Sequence, residues 1–225
     1  MPQLIAMIIV VVAAMIYMFQ TFGGTGDKIE GVAQKGSLIT EINNIKDGIK
    51  IAAKSGHIQT SNGTDPDAAK DLKGLATLSY FAEQINSQLT TSTNKNANVY
   101  NAISFGGKSE ATTGTDNTSA MKISLVATTK GTTPGIFVDL ADGSLKTNKA
   151  FLEAQIAKDL EAVAYIDRHA KTAVAPDTVQ NSSGTDLEKR TPGYSTEDKT
   201  AGAETISDGK FIIYFKDFGA DEVIK

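Results

Sequence analysis

The sequence predicts an α+β fold: a long N-terminal α-helix, apolar in its first half and amphipathic in its second, packed against an antiparallel β-sheet head with additional helices. Three observations predict it. Residues 3–55 carry helical patterning throughout, and its character changes near Gly26. Short runs rich in β-branched and aromatic residues, such as Met121–Ala127 and Gly135–Leu140, follow later in the chain. Helical stripes are interspersed among those runs, with no regular alternation of strand and helix. The organisation is therefore 1–26, an apolar helix ending in a glycine break, and 27–225, a globular head that includes the amphipathic half-helix 27–55.

Leu4 to Phe19 is an unbroken apolar run of sixteen residues. As a helix it is about 24 Å long, and Gln20, Thr21 and Phe22 extend it to about 28 Å, close to the thickness of a bilayer core. No residue from Met1 to Gly26 is charged. A cleaved secretory signal fits poorly, since no Lys or Arg precedes the run. A membrane anchor fits, and so does a helix whose charged leader has been removed ahead of Met1. Gly23, Gly24 and Gly26 then fall in four consecutive positions, each costing about 1 kcal/mol inside a helix, so a break or hinge is expected there. A phosphate-cradling loop is rejected, because the spacing to Lys28 is wrong and Asp27 precedes that lysine.

From Asp27 to Ser55 the pattern narrows to a seam: Ile29, Val32 and Gly36 form one stripe, and Leu38, Ile42, Ile45, Ile49 and Ala52 continue it. Glu30, Lys35, Glu41, Lys46, Asp47 and Lys50 are expected on a solvated face, and Gly56 is placed to stop the helix. A helix that is apolar all round and then amphipathic suits a filament subunit: the first half packs against copies of itself and the second half is the spine of a head.

In the head, Asp65 is expected to cap a helix beginning at Pro66 and carrying the stripe Leu72, Leu75, Leu78, Phe81, Ile85 and Leu89. Strands are expected at Val99–Phe105, Met121–Ala127, Gly135–Leu140 and Lys210–Lys216. The last is apolar on both faces and so central to the sheet. Asn148–Arg168 reads as one helix, and Lys171–Gly209 as long surface loops. An antiparallel sheet laid on the amphipathic half-helix would bury both the seam and Phe211–Phe215.

Composition narrows the chemistry. The chain has 225 residues, a net charge of −4, no Cys and no Trp. The absence of cysteine excludes disulfides, thiolate metal sites and thiol nucleophiles. Arg168 and Arg190 are the only arginines, which argues against a specific nucleic-acid site. His57 and His169 are far apart in sequence and read as surface or helix-end residues, the second near a helix C-terminus. Asp65, Asp67 and Asp71 lack the pattern of a calcium loop and read as helix capping; Asp139 and Asp142 read as a strand-end turn. No catalytic residue, metal ligand or cofactor site is expected, and the protein is read as a non-enzyme. Ser and Thr are abundant, at 15 and 25, which suits a polar displayed surface.

The Met1-starting apolar helix, the break at Gly23–Gly26 and the amphipathic continuation Gly31–Lys46 together resemble the type IV pilins, the type IVb group in particular. The strand Gly135–Leu140 followed by a helix from Asn148 suits such a head. The resemblance implies the pilin fold and a subunit of an extracellular filament. Its assembly contacts would come from Met1, Leu4, Ile5, Ile8, Ile9, Val12, Ala13, Ile16 and Phe19, with Gly23, Gly24 and Gly26 as the helix break. It further implies as partners the protein itself as a helical homopolymer, the inner membrane before assembly, a prepilin peptidase and the pilus assembly machinery. Adhesion, motility, DNA uptake and secretion are all uses of such fibres. Two departures stand out. The family's Glu at the fifth mature residue is Ile5 here, and the usual cysteine pair is missing, so the C-terminal segment must be held by packing or other contacts. A type II secretion pseudopilin and a monomeric membrane-anchored extracytoplasmic binding module remain the alternatives.

Overall fold

The computed structural model describes residues 31–91, 96–108, 118–196, 199–200, 203–204 and 207–225. The apolar run, the glycine break and the assembly residues named above lie outside the described residues. The fold is α+β, with a five-stranded antiparallel sheet and several helices.

Helix α1 (31–54) is amphipathic, and Leu38, Ile42, Ile45, Ile49 and Ala52 of the expected seam are buried. Val32 and Gly36 are corrected: six and two residues before Leu38, they fall on other sides of the helix and are exposed, while Ile29 lies outside the described residues. It stops at Gly56, whose φ of 73° few side chains tolerate, and the N–H groups of Gly56 and His57 donate to Ala53 and Ala52 to cap the last turn. Two short helices follow, α2 (Leu72–Thr77) and α3 (Glu83–Thr90), in place of the single helix expected from Pro66. Asp71, not Asp65, is the N-cap, its carboxylate accepting from Gly74 N–H at 2.7 Å. Asp65 instead closes its own turn by accepting from Asp67 N–H. The stripe breaks at Ser79, which adopts φ 61°, so that the Tyr80–Phe81 corner presses on α1 at Gly48, where a Cβ would collide with the Phe81 ring.

The sheet order is β1 (Tyr100–Asn101), β2 (Lys122–Val126), β3 (Gly135–Asp139), β7 (Lys210–Phe215) and β4 (Ala164–Asp167), every pair antiparallel. Strand β7 is interior, as its two apolar faces require. The strand expected over Val99–Phe105 shrinks to β1, because Ile103–Phe105 turns into a 3-10 helix. The single helix expected over Asn148–Arg168 is also corrected. Helix α4 (Lys149–Leu160) ends early, the chain reverses, and Ala164–Asp167 becomes β4 by pairing with Phe215–Ile212. Residues 171–209 contain more than loops: α5 (Asp186–Arg190), opened by a capping box between Thr185 and Glu188, and a small hairpin of β5 (Lys199–Thr200) and β6 (Ala203–Glu204).

One face of the sheet (Ile123, Leu125, Ile136, Val138, Phe211, Ile213, Phe215) joins the seam of α1 in the main core, together with α2, α3 and α4. The other face (Val126, Phe137, Ile212, Tyr214) is covered by Ala170 and Ala175 of the segment after β4. The final segment is pinned without a disulfide. Phe218 and Ile224 are buried, the Ile224 N–H donates to Thr132 and its carbonyl accepts from Gly131, and the Lys225 N–H donates to Ile58 at the end of α1.

Candidate functional site

Helix α1 is the described part of the helix expected over 3–55, in its amphipathic half, and its two faces differ in kind. The buried face is Leu38, Ile42, Ile45, Ile49 and Ala52 of the seam. The exposed face runs through Val32, Ala33, Gly36, Ser37, Thr40, Asn43 and Asn44, and the first charge fully exposed on it is Asp47. Val32 is 61 % exposed. From Val32 to Asn44 this stripe is about 20 Å long. It is uncharged because the charged residues of that stretch are engaged elsewhere. Lys35 reaches sideways to Asp159 at 2.6 Å, and Lys46 reaches to Asp217 at 2.9 Å with its ammonium 4.8 Å from the Phe215 ring centroid. Glu41, expected among solvated charges, is buried: one oxygen accepts from Tyr100 Oη and the other from Ser104 N–H, both at 2.8 Å. Burial, and then the neighbouring carboxylate, push the Tyr100 phenol well above its ordinary value. At the upper end of the helix the half-exposed Phe151 ring lies over Gly31, beside Val32.

The remaining polar residues are occupied in holding the fold. His57 Nδ1 shares a hydrogen bond with Tyr80 Oη, which ties the end of α1 to the corner between α2 and α3. His169 follows β4 and does not sit at a helix end, since that helix stops at Leu160; its N–H donates to Asp167. Asp139 closes its own turn by accepting from Ala141 N–H and stands 3.9 Å from Lys210. Asp142 pairs with Lys122, whose hydrogen bond and charge hold its carboxyl below the usual range. Among the described residues no group of three or more His, Asp or Glu side chains could hold a metal ion, and no helix is long and apolar enough to cross a membrane. An open depression of about 570 Å³ between α2 and α3 is lined by Thr77, Ser79, Asn86, Ser87 and Thr90; a second cleft, of about 350 Å³, lies along β4.

Sequence reasoning missed the buried acids Glu41, Glu153 and Asp167. Only the third carries a local signal, an Asp two residues before a turn-forming His; the partners of Glu41 lie 59 and 63 residues away.

The described residues define an α+β fold in which one face of α1 is closed into the core with the sheet and the other is exposed and, from Val32 to Asn44, uncharged. No family model, no curated protein and no solved structure matches the chain.

Proposed function

We propose that the protein is the structural subunit of a type IV pilus-like extracellular filament, has the pilin fold, and assembles through its N-terminal apolar helix without enzymatic activity. The observation that carries the reading is the exposed face of α1. A helix on the surface of a soluble head ordinarily turns Lys, Glu and Asp to water. Here the solvent side from Val32 to Asn44 offers uncharged side chains, and a run of sixteen apolar residues, Leu4 to Phe19, precedes it in sequence, beyond the three glycines and the charged Asp27, Lys28 and Glu30. Both halves of 3–55 thus suit close packing against other helices, the first by burying large apolar side chains and the second by letting backbones approach.

In this reading Leu4, Ile5, Ile8, Ile9, Val12, Ala13, Ile16 and Phe19 lie in the filament core, and each large side chain fully buried there contributes about 1.5–3 kcal/mol. Copies meet by a head-to-tail contact that does not close, so the assembly propagates. Before assembly the same run sits in the inner membrane, where a prepilin peptidase and the assembly machinery act on it.

Electron microscopy of sheared surface material tests the reading. Filaments with one main band of this chain are expected from the wild type, and none from Ile9→Asp or Ala13→Asp, whose heads keep the wild-type thermal unfolding. Normal filaments from both variants, or a wild-type chain found only as a detergent-soluble monomer, would overturn it.

A further inference from the structure

We propose that the outer edge of β4 is a docking site for an extended acidic peptide, which joins the sheet as an additional strand. The inference is independent of the filament reading. It rests on the unequal treatment of the two sheet edges.

Strand parity shows which backbone groups face outward. Lys216 N–H donates to Val163 O at 2.9 Å, just beyond the β4–β7 register Ala164↔Phe215 to Asp167↔Ile212. In an antiparallel ladder such bonded pairs recur every second residue, so Tyr165 and Asp167 bond to β7 while the N–H and C=O of Ala164 and Ile166 face away from it. At the opposite edge the same parity turns Asn101 outward, and there the protein supplies a substitute strand. The Gln88 side chain, itself buried, accepts from Asn101 N–H and donates to Asn101 O, both at 2.8 Å. Where β2 runs past β1, Asn98 does the same for Leu125, accepting at 3.1 Å and donating at 2.8 Å. Two side-chain amides therefore close one edge. On β4, Asp167 accepts from Ser195 N–H at the strand end, but among the described residues no side-chain amide reaches Ile166. An unclosed edge is a template for strand addition.

The space beside that edge fits a single strand. The cleft of about 350 Å³ is lined along β4 by Ala164, Tyr165, Ile166 and Arg168, with Glu161 of the turn after α4 on one wall and Tyr194, 50 % exposed, on the other. Its charge selects the occupant. The Lys216 ammonium donates to Glu161 O at 2.7 Å and stands 4.7 Å from the Tyr165 ring centroid, and no described carboxylate pairs with it. Arg168 is tied to buried Glu153 at 2.7 Å. Of the charged residues lining the cleft, Glu161 is an acid and Arg168 is already paired with Glu153, so Lys216 is the cation that an incoming carboxylate would meet and an incoming ammonium would face. Tyrosines and cations alone would also suit an acidic sugar; the unpaired amide of Ile166 favours a peptide.

The test uses the full chain in detergent micelles and fluorescent synthetic peptides of alternating Val and Thr with a central Glu or a central Lys. The Glu peptide is expected to bind about tenfold more tightly than the Lys peptide, and Lys216→Glu to reverse that order. Ile166→Pro removes an N–H that the β4–β7 ladder does not use, and should weaken the Glu peptide by about tenfold or more while leaving circular dichroism unchanged. Should that variant misfold, amide exchange of Ile166 in the wild type is read instead, and it must slow when peptide is added. Equal affinity for the two peptides, no binding, binding indifferent to Ile166→Pro, or unaltered Ile166 exchange would each overturn the proposal. So would saturable binding of polygalacturonate that persists in Ile166→Pro without peptide binding.

Discussion

Glu153 is fully buried on α4, where one carboxylate oxygen accepts from Arg168 Nε at 2.7 Å and the other from Gly209 N–H at 2.9 Å. Burial nevertheless dominates those partners and raises its carboxyl above the ordinary value, with Asp208 adding to the rise. Asp217 is the opposite case. Burial alone would raise it, but the hydrogen bonds and charges of Lys46 and Lys50 outweigh that and hold it below the ordinary value. The two acids therefore tilt stability in opposite directions. For Glu153 the folded state holds its proton longer than the unfolded chain, so its contribution is greatest below the ordinary Glu value of about 4.3 and declines as pH rises through the folded value. For Asp217 the contribution is present above the ordinary Asp value of about 3.9 and is lost as pH falls through the folded value. Urea midpoints from about pH 2.5 to pH 7 check both signs. The stability of wild type relative to Glu153→Gln should fall with rising pH, and that relative to Asp217→Asn should rise. Parallel curves for wild type and either variant would contradict the corresponding assignment. Asp217, being largely exposed, should give the smaller effect and lose it in high salt.

Among the elements, the segment after β7 does the work that a disulfide would do. Its anchors are Phe218 and Ile224 in the core, three backbone hydrogen bonds to Gly131, Thr132 and Ile58, and Arg190 Nη1 donating to Gly219 O at 2.7 Å. Truncating the buried anchor, Ile224→Ala, should cost about 2–5 kcal/mol, read as a lower urea midpoint at unchanged slope. A loss below about 0.5 kcal/mol would mean that the backbone bonds hold the segment without Ile224. This dependence was foreseeable from the lack of cysteine, although its residues were not. Helix α1 and strands β2, β3 and β7 were legible because each carries its own periodicity and a clean stop, Gly56 being one. Strand β4 was not, since Leu160, Val163 and Ile166 continue the three- and four-residue spacing of α4. Its pairing with Phe215–Ile212 overrides that local pattern from across the chain. The break between α2 and α3 was hidden for a related reason: Ser79 takes a left-handed conformation without being glycine. Glu41 was misassigned because helical spacing places it beside solvated lysines, while its partners Tyr100 and Ser104 arrive from the sheet side. The buried seam of the candidate site was thus readable in sequence from Leu38 to Ala52, but not at Val32 and Gly36, which are exposed. The uncharged outer stripe became visible only once Glu41 was seen to turn inward and Lys35 and Lys46 to reach sideways.

At the scale of the whole molecule, charge and apolar length are segregated along the chain. Every Asp, Glu, Lys and Arg lies from Asp27 onward, so the net −4 belongs to residues 27–225, and the preceding residues are uncharged and mostly apolar. Heads that carry like net charge repel over the screening length, about 8–10 Å in physiological salt, and repulsion alone favours monomers. In the proposed filament, association would then come from the N-terminal run, where the burial of several large side chains exceeds that modest repulsion. The head, in turn, has a continuous core uniting α1, α2, α3, α4 and one sheet face, which among the described residues begins at Leu38. A chain begun at Asp27 should therefore fold with a melting temperature within a few degrees of the detergent-solubilised full chain (about 1 kcal/mol or less). It should sediment as a monomer at low salt and at physiological salt alike. Raising salt should promote assembly of the full chain and leave the shortened one unchanged, because screening removes repulsion without supplying attraction. Filaments formed by the chain begun at Asp27 would place the cohesive energy in the heads, and a shortened chain that fails to fold would make the apolar helix part of the head's own stability.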